Sequence, residues 1–101
     1  MSRYFILDGQ RPIETDCMSW ARWFEKNQET RIVAKSSKED GTNVSTVFVG
    51  IDMGYDDNGP PIVFETMIFG GEHDQWQDRC STWEGAEEMH KVACQLAGVT
   101  S

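Results

Sequence analysis

The sequence predicts an α+β domain: an antiparallel sheet of three to five strands with two amphipathic helices, in the order β-α-β-β-β-α. Three observations carry this. Runs rich in β-branched and aromatic residues occupy 43–53 and 62–69. Two stretches with helical periodicity, one near each end, flank the strand-rich centre. Turn signals punctuate the chain between them, among them Asp8-Gly9, Gly41, Pro60-Pro61 and Gly70-Gly71.

"RYFIL" (3–7) reads as a short strand stopped by Asp8-Gly9, and Pro12 marks a loop or an edge. "TDCMSWARWFEKN" (15–27) reads as a helix. Thr15 or Asp16 caps it, because a side-chain oxygen there can accept from the free N–H groups of the first turn. At 100° per residue, Cys17, Trp20, Ala21 and Phe24 share the expected inward face. Ser19, Arg22 and Lys26 oppose it, and Trp23 falls at the rim. Residues 30–37 can form a strand, 38–41 a turn, and 43–53 the strongest strand. Its alternation puts Val47, Val49 and Ile51 on one face and Thr46 and Phe48 on the other.

Residues 54–61 are a loop by composition, and 62–69 the next strand, so 31–69 is expected to be a three-stranded meander. Residues 70–80 are a loop or a bulged edge strand. Ser81 with Glu84 makes a capping box for the last helix. Ala86, Met89, Val92, Ala93 and Leu96 form its expected buried stripe, Glu87 is spaced to pair with Lys91, and Gly98 is a fitting stop.

Glu65 stands alone among apolar neighbours. On its strand Ile62, Phe64, Thr66 and Ile68 point one way, and Val63, Glu65, Met67 and Phe69 the other. The first set is the expected core face. Glu65 then lies on a second face more apolar than exposure requires, paired across the strand with Lys35 or Thr46. If that face were closed, the carboxyl pKa would rise, as a general acid needs.

The 101 residues suit one domain, large enough for a core without a metal or disulfide staple. The net charge is −8, from 17 acidic against 9 basic side chains, which argues against direct nucleic-acid binding unless cations cluster on one face. Arg22, Lys26, Arg31, Lys35 and Lys38 fall in the first half. The asymmetry is compatible with a basic patch, with a negative surface that steers towards a basic partner, and with solubility alone. Three cysteines without a CxxC suggest reduced thiols, hence the cytoplasm. No stretch reads as a signal peptide or a membrane span.

Motifs for chemistry are sparse. Asp52, Asp56 and Asp57 fail the calcium-loop spacing, and His73 and His90 belong to no HxH or HExxH pattern, so no metal is expected. No GxSxG or P-loop occurs, and neither a catalytic residue nor a cofactor is assigned. Cys80, just ahead of the last helix, is expected to have a lowered pKa.

The segments "WARWFE", "VSTVFVGID", "GPPIVFETMIFGG" and "STWEGAEEMH" together resemble a family of small phage and prophage proteins with no established activity. The resemblance spans residue 3 to about 92. It implies a phage accessory product in a bacterial cytoplasm, and transfers no site residues. The leading expectation is a non-enzymatic binding protein that inhibits a host defence protein, such as an immune nuclease. Its binding residues are Trp23, Glu65, Met67, Phe69, His73, Asp74 and Trp76. The alternative is a small-ligand binder that sequesters a nucleotide signal. Loops 53–61 and 70–80 would flank its pocket, Glu65 would floor it, and Arg22, Arg79 and Trp76 would converge there. A small hydrolase using His73 and Glu65 ranks last. Homo-oligomerisation is compatible with the apolar second face.

Overall fold

The computed structural model describes residues 2–55 and 58–100. Strands β1 (Tyr4–Asp8) and β2 (Arg11–Thr15) form a two-stranded antiparallel sheet. Helix α1 (Cys17–Lys26) follows. Then come β3 (Ile32–Ser37), β4 (Asn43–Phe48), β5 (Phe64–Phe69) and β6 (Gln77–Cys80), and helix α2 (Trp83–Ala97). These four strands make an antiparallel sheet in the order β3-β4-β5-β6. The α+β class holds and the expected meander is there, extended by β6 as an edge strand. β2 is not among the expected strands. Pro12 does not end the first strand region, because the Asp8–Arg11 turn folds β2 back on β1 with Leu7 opposite Pro12.

β4 stops at Phe48, short of the expected residue 53. Gly50 takes positive φ, and a Cβ there would lie 2.5 Å from the Trp20 indole nitrogen and 2.7 Å from the Phe5 carbonyl. The chain bends at this point and bonds to β1 instead: Phe5 N–H donates to Gly50 O (2.7 Å) and Asp52 N–H to Arg3 O (3.0 Å). β5 likewise starts at Phe64, not Ile62. Val63, expected on the second face, lies before the strand and is fully buried in the core.

Both helix phases differ from the expected ones. Asp16 does cap α1, its side chain accepting from Ser19 N–H at 2.8 Å. The inward stripe is Trp20, Trp23, Phe24 and Asn27, all half-buried, whereas Cys17 and Ala21 are exposed. Trp23 is no rim residue; it meets Phe48 edge-on at 5.6 Å between ring centroids. On α2 the N-cap is Thr82, whose hydroxyl accepts from Gly85 N–H at 3.0 Å, not Ser81. Ala86, Met89, His90, Ala93 and Cys94 are buried, while Val92 and Leu96 are 48% and 41% exposed. Lys91 pairs with Glu88 at 3.5 Å, not with Glu87. Gly98 ends the helix in the left-handed conformation, as expected.

α2 crosses all four strands of the larger sheet on the face that carries Val44, Thr46, Phe48, Phe64, Thr66 and Ile68. Those six side chains are at 0% exposure and form, with α2, the closed half of the molecule. The core splits into a cluster around Phe48, Phe64 and Met89 and another around Val44, Ile68 and Ala93.

Candidate functional site

Because directly paired residues of antiparallel strands share a face, the register fixes what the other face presents. It runs in three cross-strand rows. Ile32, Val47, Glu65 and Arg79 stand side by side. Next come Lys35, Ser45, Met67 and Gln77. The last row is Ser37, Asn43 and Phe69. Every residue in these rows is exposed or half-buried, and none is buried. Glu65, Met67 and Phe69 therefore lie on the less buried face, as their alternation implied.

Glu65 is not paired with Lys35 or Thr46. Thr46 points to the closed face, and Lys35 sits one row away. The partner is Arg79, whose Nε donates to Glu65 Oε2 at 2.9 Å, with side-chain exposures of 42% and 20%. Such a pair, open to solvent, makes only a small contribution to stability. Apolar groups flank it: Val47 beside Glu65 in the same row, and Met67 two positions along β5.

A groove of about 560 Å³ lies where this face meets the β3–β4 turn, lined among others by Lys35, Ser37, Lys38, Asn43, Ser45 and Phe69. Lys38 Nζ donates to Ala97 O at 3.0 Å, which places its charge against the C-terminal carbonyls of α2.

The loop after β5 is held by its own residues. Gly70 and Gly71 have positive φ, and Asp74 Oδ1 accepts from Gly70 N–H at 2.7 Å. His73 lines a smaller cleft of about 200 Å³ with Thr42 and Gly98, while Trp76 packs against the second core cluster. Arg22 lies exposed on α1 and Arg79 is engaged by Glu65, so Arg22, Arg79 and Trp76 do not form one pocket. The open face is not an acidic patch, since it holds Lys35 and Arg79 with Glu65.

His73 and His90 have separate surroundings. His90 is 3% exposed beneath α2, with Nδ1 2.7 Å from Thr46 Oγ1 and Nε2 2.9 Å from Ser36 Oγ. Thr46 Oγ1 in turn lies 2.6 Å from Thr66 Oγ1. Hydroxyls can donate or accept, so either neutral tautomer is satisfied. Burial pushes the His90 pKa below its ordinary value. No spacing in the sequence announces this hydroxyl–imidazole network, because Ser36, Thr46, Thr66 and His90 come from four different elements.

Asp52 is committed to structure. Its Oδ2 accepts from Arg3 at 2.6 Å, and Oδ1 from the amides of Ile62 (2.9 Å) and Gly54 (3.0 Å). Burial raises its pKa, but those amides and Arg3 outweigh burial and hold it below the usual carboxylate value. Asp56 and Asp57 lie outside the described residues. Among the described residues, no group of three or more His, Cys, Asp or Glu is placed to hold a metal ion. No described helix is long and apolar enough to cross a membrane. The expected lowering of the Cys80 pKa is reversed: burial dominates and pushes the thiol up, with Asp78 adding to the rise.

No family model, no curated protein and no solved structure matches the chain.

Proposed function

We propose that the chain is a non-enzymatic binding protein that docks a partner protein through the open face of its four-stranded sheet. One observation carries this: α2 closes one face, while the other presents Ile32, Val47, Met67 and Phe69 around the Glu65–Arg79 pair. Apolar side chains with a central polar pair suit a protein interface, in which desolvated charges penalise partners that cannot match them. The net charge of −8 opposes a second copy as the occupant and steers the chain as a whole towards basic proteins, while the face itself, with Lys35 and Arg79 against Glu65, selects by its apolar side chains and its ion pair. Nucleases are basic where they bind nucleic acid. The resemblance to phage accessory proteins supports a host defence protein of that kind, met in the bacterial cytoplasm.

The test is a capture experiment from phage-infected host lysate, followed by binding measurements on the recovered partner. Glu65→Gln is expected to leave the melting temperature nearly unchanged and to weaken binding. A variant that loses several degrees of stability yet binds normally would overturn this reading. So would a sedimentation result showing that a second copy occupies the face.

A further inference from the structure

We infer that the groove between β3 and the β3–β4 turn is a binding site for a nucleoside monophosphate. This goes beyond the protein-docking proposal, of whose named residues the groove shares Phe69. The volume, about 560 Å³, falls in the ordinary range of small-ligand sites. Its charge runs against the rest of the molecule. In a chain of net charge −8, the groove is lined by Lys35 and Lys38 with one carboxylate, Glu39, and Asp40 lies 3.9 Å from Lys38 Nζ. The Lys35 side chain is exposed and makes no hydrogen bond or ion pair with a described residue, so its ammonium is available to an anion. Lys38, held at the end of α2 by the Ala97 carbonyl, is already paired with Asp40 at 3.9 Å, so the anion is met chiefly by Lys35.

The remaining lining distinguishes a nucleotide from a bare anion. Register puts Ser37, Asn43 and Phe69 in one row and Ser45 next to Lys35. The Phe69 ring, 39% exposed, offers a stacking surface for a base. Asn43 donates its amide N–H to Gly41 O at 3.3 Å, which leaves its amide oxygen to accept from a base edge. The Ser37 and Ser45 hydroxyls can serve a sugar or a phosphate. Below the strand, Ser36 is bonded to His90, so the backbone that carries Lys35 and Ser37 is tied to α2. The site is part-built before any ligand arrives.

Isothermal titration with AMP, adenosine and inorganic phosphate tests this. AMP is expected to bind saturably, with adenosine and phosphate each weaker by about tenfold or more, since each lacks one of the two anchors. Lys35→Ala and Phe69→Ala should each weaken AMP by about tenfold. Both side chains are exposed, so neither change threatens the fold. Lys91→Ala, an exposed cation on α2, should change nothing. Absence of saturable AMP binding would overturn the inference. So would phosphate binding as tightly as AMP, or Lys91→Ala costing as much as Lys35→Ala. Those failures would leave the docking proposal standing, since Glu65→Gln tests that separately.

Discussion

Thr66 and Glu65 are neighbours on β5, yet they live in different media. Thr66 is fully buried, and its hydroxyl joins the Thr46–His90 network under α2. Glu65 points the other way and meets Arg79 at a solvent-open pair. The same contrast holds along β4 between Thr46 and Ser45 or Val47. Period-two alternation sets up the two faces, but the single helix decides which becomes core. Polar residues under α2 must be satisfied by one another, whereas those on the open face remain available to a partner.

The largest expected difference between the faces is in packing. Phe64→Ala removes a ring packed edge-on against Phe48 and Trp83 and should cost about 3–5 kcal/mol in denaturant unfolding. Met67→Ala, across the sheet, should cost under about 1.5 kcal/mol, because the site is not closed. Equal losses would mean that the open face is covered.

The polar network comes next. Thr46→Val leaves His90 Nδ1 and Thr66 Oγ1 without their partner and should cost about 1–3 kcal/mol. The imidazole also makes stability depend on pH. Its folded pKa is lowered, so its contribution is complete above the unfolded value of about 6.5 and is lost as pH falls through the folded value. Among the described residues no counter-ion meets the ring: its partners are hydroxyls, and Lys35 and Glu65 are on the far face. Asp78 shares the face of Thr66, but at the exposed edge strand. Melting of the wild type should therefore fall below pH 6.5 more steeply than that of His90→Gln. Parallel profiles would contradict a neutral buried imidazole.

Smaller effects bear on how α2 is fixed over its face. Thr82→Ala should cost about 1 kcal/mol through loss of the N-cap acceptor, and Ser81→Ala much less. Thermal melts of the pair would reveal a helix that starts one residue earlier if the order were reversed. Least of all, Glu65→Gln should shift stability by under about 1 kcal/mol, as expected for an exposed pair.

The strands were largely legible because alternation over β4 and β5 leaves two choices of face, and Phe64, Thr66 and Ile68 pick one. Helix phase was harder. On α2 the stripe Ala86, Met89, His90, Ala93, Cys94 and Ala97 has helical spacing, but counting only the most apolar residues draws Val92 and Leu96 inward instead. A histidine looks polar until Ser36 and Thr46 are known to meet both ring nitrogens, and those partners come from 54 and 44 residues away. The same non-local problem hid β2, because Pro12 is tolerated in a two-stranded edge. It also hid the Glu65 partner, since the β5–β6 register depends on the loop that Gly70, Gly71 and Asp74 close. The groove draws Lys35, Asn43 and Phe69 from three strands, so no local motif announces it.

The most direct measurement of the docking claim is site-specific photo-crosslinking in infected host cells. A photoreactive residue replaces Val47 on the open face in one variant and Glu87 on the exposed side of α2 in another. The account predicts one discrete protein adduct from position 47, reduced by Glu65→Gln, and none of that identity from position 87. Adducts of equal yield from both positions, or from position 87 alone, would contradict it.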